Sequence, residues 1–301
     1  MSGPRYEGSF CKGIFQKEVS QKKMQADPFA KYDPEILNIV RNYRLLDDNF
    51  MAKVFEDKAC IELVLRIIMQ VPTLMVERHH VQECLNNIQG KSVRYDVWAV
   101  DEDGTQYNIE VQRADAGAIS KRARYNSSVL DSNVLQSGDT YEKLPKTYVI
   151  FITEHDVFGK GQLRYNIDRM YFVDKAQRYE PFGDDAHIIY VNAAYHDMST
   201  ELGRLMSDFR EKETEKMYFQ TLKERVKLFK NEPEGGEIMC KAVEELLERA
   251  CQEASQEAKV TERRALTIEL LRDGDITMEV ACAKLGMSKD EVQDLLDAPE
   301  K

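Results

Sequence analysis

The sequence predicts an α/β domain followed by an all-helical C-terminal region. Three observations carry this reading. Apolar residues recur at helical spacing between Asp48 and Pro72. Two segments between Lys91 and Arg113 alternate with period two, the mark of half-buried strands. Lys146–Thr153 (KTYVIFIT) is a continuous apolar run, as expected of a strand covered on both faces. The order helix, strands, helix, strand belongs to a layered α/β arrangement, and from about Thr200 the pattern is almost entirely helical.

The elements follow in order. Residues 1–32 are polar and weakly patterned and read as a mobile tail. Asp33-Pro34 is a helix start. Phe50, Val54, Phe55, Ile61, Val64, Leu65 and Ile68 form one helical run that Pro72 closes. Lys91–Val100 (KSVRYDVWAV) and Thr105–Arg113 (TQYNIEVQR) are strands. The loop Glu102, Asp103 and Gly104 suits a type I turn closed by a left-handed glycine. A helix is expected over 117–136, and short strands at Met170–Val173 and His187–Val191. Asn231–Gly236 (NEPEGG) is the clearest break. It divides a domain over 33–232 from an acidic helical region over 233–301, whose end, Ile276–Leu296, has the spacing of a helix-turn-helix.

Composition narrows the function classes. The 301 residues are 43% hydrophobic and include 12 Phe and 14 Tyr, too many aromatics for a disordered chain. No run of apolar residues is long enough to span a bilayer, and the N-terminus lacks the apolar core of a secretory signal. Six scattered cysteines form no C-x-x-C pair, which fits reduced thiols and a cytoplasmic location. Net charge is −11. Residues 1–32 carry six Lys/Arg against three Asp/Glu, and 233–301 carry nine against seventeen. Bulk charge therefore does not attract nucleic acid, and any such chemistry needs a local basic patch and a metal.

The hairpin concentrates the chemistry. With Asp101 opposite Thr105, Asp96 falls opposite Glu110 and Arg94 opposite Gln112. Alternation then gathers Arg94, Asp96, Glu110 and Gln112 on one face and sends Val93, Tyr95, Val97, Ile109 and Val111 to the core. Cross-strand side chains start only ~5 Å apart, so two carboxylates there repel unless a cation or proton intervenes. A hard divalent ion takes carboxylate, carbonyl and water oxygens, and the Val111 carbonyl is a third donor. The plainer alternative is the solvent face of a half-exposed sheet. Against it stand the basic residues that follow, Arg113, Lys121, Arg122 and Arg124, and the central strand beside the hairpin.

RYDVWAVDEDGTQYNIEVQRAD, then SKRARYNSSVLDSNVLQSGDTYEKL and TYVIFITEHDVFGKG, resembles the PD-(D/E)XK nuclease family transposases, relatives of the recombination-promoting nucleases. LLDDNFMAKVFEDK resembles that group's opening helix, and HIIYVNAAY and LGRLMSDF its later segments, so the resemblance spans about 44–260. It implies a restriction-endonuclease-like mixed sheet flanked by helices. It also implies Mg²⁺- or Mn²⁺-dependent hydrolysis of DNA phosphodiesters, with a link to recombination or mobile elements. On this resemblance Asp96 is the first acid, Glu110 the second, and both are metal ligands with the Val111 carbonyl. Gln112 stands where many superfamily members have a lysine, and it supplies a neutral donor and acceptor instead of a charge. An acid of the opening helix completes such a site. Asp48 is the first candidate and Glu62 the second, with an N-cap as the alternative role for Asp48. Arg94, Arg113, Arg122 and Arg124 are candidate DNA phosphate contacts, with a solvated face as the alternative for Arg122 and Arg124.

The competing function is a catalytically silent DNA-binding or protein-interaction module on the same fold. RNA as the substrate is a third reading. His79-His80 lies in a strand, so the two rings point to opposite faces, which is poor metal geometry. Tyr125 reads as core. The second helix of the C-terminal motif is acidic (Lys289, Asp290, Glu291), so a protein contact or self-association through the C-terminal helices fits it better than reading DNA.

Overall fold

The structure, a computed structural model, describes residues 29, 31–85, 92–114, 117–135 and 137–297. The tail read over 1–32 lies almost wholly outside the described residues. Of its end, the Phe29 ring packs where a side chain on Gly236 would sit, since a Cβ there would come within 2.1 Å of it.

Helix α1 (Pro34–Asn42) begins at the expected Asp33, whose Oδ1 accepts the Glu35 N–H at 2.7 Å. The single run expected up to Pro72 is instead two helices, α2 (Asp48–Val54) and α3 (Lys58–Met69). Asp57 causes the break: its carboxylate accepts the Ala59 N–H at 2.9 Å and starts a new helix instead of continuing the old one. Gln70, in the left-handed conformation at φ 59°, ends α3 before Pro72.

Eight strands follow: β1 (Val76–Leu85), β2 (Val93–Asp101), β3 (Gln106–Gln112), β4 (Thr147–Thr153), β5 (Arg164–Ile167), β6 (Met170–Val173), β7 (Arg178–Pro181) and β8 (Ala186–Asn192). Six form one sheet in the order β1-β2-β3-β4-β8-β5, while β6 and β7 pair separately. The β3–β4 and β4–β8 pairs are parallel and the others antiparallel, so the sheet is mixed. A parallel β3–β4 pair needs a crossover, and α4 (Ser120–Ser132) lies within it.

The hairpin turn forms as read. Asp101 and Thr105 pair through N–H to carbonyl at 3.1 Å, and Gly104 takes φ +80°. The Asp101 carboxylate accepts the N–H groups of Asp103 and Thr105, which pins the turn and hence the register. Val97 to Val100 stand opposite Ile109 to Gln106, the register expected.

The sheet separates two layers. On one side Val97, Ala99, Ile109, Val111, Ile150 and Ile152 join the main core with α2, α3, α5 (Glu201–Arg210) and α6 (Gln220–Asn231). On the other, Val149, Phe151 and Tyr190 pack with Ala118 and Ala123 around α4. Val93 and Tyr95 depart from the expected main-core placement. They cluster with Val129 and Leu130 of α4, and the Tyr95 hydroxyl donates to the Asn126 carbonyl at 2.9 Å. The β2–β3 ladder begins only at Val97, and ahead of it β2 pairs with β1 and turns toward α4.

Helix α7 (Pro233–Arg272) starts in the main core, where Met239, Cys240 and Val243 are buried. Residues 245–266 are exposed without interruption. Its last turns then bury Ile268 in a small cluster with Ala281 of α8 (Met278–Leu285) and Val292 of α9 (Lys289–Asp297). Gly286, at φ 66°, closes α8 in the left-handed conformation and allows the tight turn between the two short helices. Among the described residues no helix is long and apolar enough to cross a membrane.

Candidate active site

The splaying of β2 from β3 creates the site. Where the ladder stops, the Val111 N–H has no strand partner on the β2 side, and the Asp96 side chain supplies one, its Oδ2 accepting at 2.9 Å. The N–H and carbonyl of one strand residue point to the same edge. The Val111 carbonyl therefore faces the Asp96 side as well, whereas the Gln112 carbonyl is taken by the Glu154 N–H at the end of β4.

Glu110 stands level with Phe151 of β4, whose side chain packs on the α4 side, so Glu110 faces α4 too. It is fully buried, at 0% exposure, and Asp96 nearly so at 8%. Glu110 Oε2 accepts from Arg122 Nη2 at 2.7 Å, while Oε1 is buried with no hydrogen-bond partner. Arg122 Nη1 donates to Gln112 Oε1 at 3.2 Å and to the Gly117 carbonyl at 3.0 Å. Gly117 permits this closeness, since a Cβ on it would lie 2.0 Å from Gln112 Oε1.

Beside them lies a cavity of about 690 Å³ bordered by Asp48, Arg94, Asp96, Gln112, Lys121 and Arg122, with Glu110 buried behind this lining. Burial raises both acids of the pair above the ordinary carboxylate range. For Asp96, the Val111 N–H opposes the shift, Asp48 adds to it, and Arg122 and Arg94 oppose it. For Glu110, the Asp96 charge is the second cause and Arg122 the chief opposing one. Asp48 is exposed as a residue, yet its carboxyl borders the cavity, and burial raises it as well, with Arg94 pulling the other way.

The remaining sequence candidates fall as follows. Asp48 is the first residue of α2 and Asp47 holds the N-cap position, so the N-cap role does not fall to Asp48. Glu62 is occupied at the start of β1, accepting the Val76 N–H at 3.0 Å and pairing with Arg66. Arg94 is exposed at the cavity rim. Arg113 turns to Asp47 at 2.8 Å and Glu154 at 3.1 Å. Arg44 closes that ring, meeting Glu154 at 2.7 Å and giving its N–H to Asp47 at 2.7 Å. Arg124 is exposed on α4 outside the cavity lining. His79 meets the Glu56 carbonyl and His80 stacks on Trp98, so the two imidazoles are separately engaged.

Sequence reasoning missed three features. The first is the ring of Arg44, Asp47, Arg113 and Glu154, whose members are far apart in the chain. The second is the grip of Arg122 on both motif residues, which depends on where α4 lies against the sheet. The third is Asn108, fully buried, whose amide lies near enough to the Glu110 carboxyl to favour its charged form without completing a hydrogen bond to it. Its position two residues before Glu110, on the same strand face, was a legible signal.

Among the described residues no group of three or more His, Cys, Asp or Glu side chains gathers at metal-binding spacing. The donor set is two carboxylates and a backbone carbonyl. It suits a hard ion that completes its shell with water, and Oε1 of Glu110, buried without a hydrogen-bond partner, is an oxygen such an ion could take.

No curated protein and no solved structure matches the chain. The family model for PD-(D/E)XK nuclease family transposases matches residues 75–271, which takes in β1 to β8 and nearly all of α7. That match, the mixed six-stranded sheet flanked by helices, and an acid on β2 beside the E-x-Q of β3 together show that the chain belongs to the PD-(D/E)XK nuclease family transposases.

Proposed function

We propose that this protein is a divalent-metal-dependent endodeoxyribonuclease that hydrolyses DNA phosphodiesters, with Mg²⁺ or Mn²⁺ as the ion. The carrying observation is the buried pair Asp96 and Glu110, with Glu110 Oε1 left without a partner. A carboxylate oxygen in that position costs several kcal/mol unless a cation or a proton meets it.

Asp96, Glu110 and the Val111 carbonyl would hold the ion, with Asp48 approaching from across the cavity. Bound there, a divalent ion supplies Lewis-acid polarisation of the phosphodiester and lowers the pKa of water. Gln112, its Oε1 held by Arg122, keeps its amide N–H₂ to orient the attacking water. Arg94 and Lys121 at the rim bind the flanking phosphates. Burial and mutual repulsion raise both acids, so protons compete with the ion for them and ion binding is tighter at higher pH.

The test is nicking of supercoiled plasmid with Mg²⁺, with Mn²⁺ and with EDTA, and with a single-stranded RNA assayed in parallel. Metal-dependent nicking that Glu110→Gln abolishes supports the reading, and nicking unchanged in that variant overturns it. One observation favours the silent alternative: Arg122 already occupies an oxygen of both Glu110 and Gln112. Tight DNA binding with no cleavage under any metal would select it.

A further inference from the structure

We infer that Arg122 is the catalytic cation of this site, supplying from α4 the positive charge that neutral Gln112 does not carry. The inference rests on the nuclease reading and assigns one role within it. Gln112 Oε1 and Arg122 Nη1 are 3.2 Å apart, so the guanidinium stands beside the place where a lysine at 112 would put its ammonium. Its other nitrogen, Nη2, is 2.7 Å from Glu110 Oε2. Among the described residues, no other arginine or lysine is hydrogen-bonded to both motif side chains. Arg113 is committed to Asp47 and Glu154, and Arg94 bears on Asp48 and Asp96 by its charge.

The geometry is built. The close approach of Gly117 seats its carbonyl on Nη1, so the guanidinium is fixed at three points: Glu110, Gln112 and Gly117. Arginine suits this place because its planar fork reaches two acceptors at once. Of its five N–H groups, Nε–H and one on Nη2 remain for a phosphate oxygen. The Arg122 side chain is 37% exposed and borders the cavity, so that edge is open to a substrate.

In the reaction, the water oxygen forms a bond to phosphorus and the P–O bond to the leaving strand breaks. The proton lost by the water passes to solvent, and the leaving oxygen is protonated in turn. Arg122 stays protonated throughout and donates to a non-bridging oxygen as negative charge grows there.

The test compares Arg122→Gln, Arg122→Lys, the double variant Arg122→Gln/Gln112→Lys, and a control, Arg122→Gln/Ile119→Lys. The control puts a new cation on a different exposed residue that lines the same cavity. Plasmid nicking is measured with Mg²⁺, binding of a short fluorescent duplex by anisotropy in EDTA across a salt series, and folding by thermal unfolding. Arg122→Gln is expected to lower the nicking rate about 10²–10³-fold and to reduce the slope of log Kd against log salt by about 1. Lysine at 112 restores most of both, and lysine at 119 does not restore nicking. A wild-type rate in Arg122→Gln, an unchanged salt slope, or equal rescue from position 119 overturns the inference while the nuclease reading stands. Absence of cleavage by the wild-type protein overturns both. If Arg122→Gln does not fold, Arg122→Met compared with Arg122→Lys carries the test: a rate kept mostly by lysine and lost in methionine supports the inference, since only lysine keeps the charge, and equal rates in the two variants overturn it.

Discussion

Oδ2 of Asp96 holds the backbone N–H of Val111 at 2.9 Å, just past the end of the β2–β3 ladder at Val97 and Ile109. The side chain thus stands in for a missing strand partner, and it does so next to Glu110. One oxygen of the first acid fixes the strand that carries the second.

Asp96→Ala should therefore cost stability as well as activity. It leaves the Val111 N–H unpaired in a buried setting, a loss of about 1–3 kcal/mol. Asp96→Asn keeps an acceptor oxygen and should cost less, while losing cleavage just as fully. Denaturant unfolding of both variants checks this. Equal stabilities would show that the bond contributes nothing to the fold.

Glu110→Gln should change how metal-free stability depends on pH. Burial and the Asp96 charge raise the folded pKa of Glu110 above its unfolded value. In that case the unfolded chain ionises first, at about pH 4. The contribution of Glu110 to stability is complete below that pH and is lost as pH rises through the folded value. Glutamine has no such loss, so the fall in melting temperature between about pH 4 and neutrality should be shallower in the variant. Thermal melts in EDTA across that range decide it, and parallel profiles would show that Glu110 is not the titrating group.

The rim arginines should separate by salt dependence. Arg94→Ala is expected to reduce the slope of log Kd against log salt by about 1, as for a lost phosphate contact. Arg113 already serves two carboxylates, so Arg113→Ala should leave that slope unchanged. With its side chain 56% exposed, it should cost at most about 1 kcal/mol. A reduced slope for Arg113→Ala would mean that DNA draws the arginine out of its ring.

A cut in the exposed stretch of α7, after Glu257, should leave a folded protein with its cleavage activity intact. A cut before Glu234 should not, because it removes Met239, Cys240 and Val243 from the main core. Leucine-sized core losses of this kind cost about 2–5 kcal/mol each. Circular dichroism and nicking assays on the two truncations test the pair. Loss of activity on cutting after Glu257 would assign the C-terminal helices a part in catalysis.

What the sequence made legible was local. The hairpin register followed from alternation and from the Asp101–Thr105 turn as far as Val97 opposite Ile109; the cross-strand pairs expected beyond it, Asp96 with Glu110 and Arg94 with Gln112, lie past the end of the ladder, and Asp96 reaches β3 by its bond to the Val111 N–H instead. The central strand followed from an unbroken apolar run. Arg122 beside Glu110 was not legible, because no spacing in the chain fixes how α4 lies on the sheet. Tyr95 misled for a related reason: its alternation matches Val97, but the strand turns where the ladder ends. The split between α2 and α3 turned on Asp57, a cap inside an otherwise continuous helical pattern. Strands β5 and β7 are four residues each and largely exposed, so they carry little hydrophobic signal.

The uninterrupted exposure of residues 245–266 bears on how the molecule opens. Over about 33 Å of helix, at the usual rise per residue, no residue is buried. Order there rests on backbone hydrogen bonds and on pairs such as Glu245–Arg249 at 3.6 Å. Such a segment is marginally helical in isolation and is held at its two ends. Amide hydrogen exchange along α7 should thus be slow at Met239–Val243, fast through the middle, and intermediate at Ile268, where only a small cluster resists opening. The helix is continuous in space, but the sheet domain and the terminal three-helix cluster are expected to unfold as separate units, with the exposed helix uncoupling them.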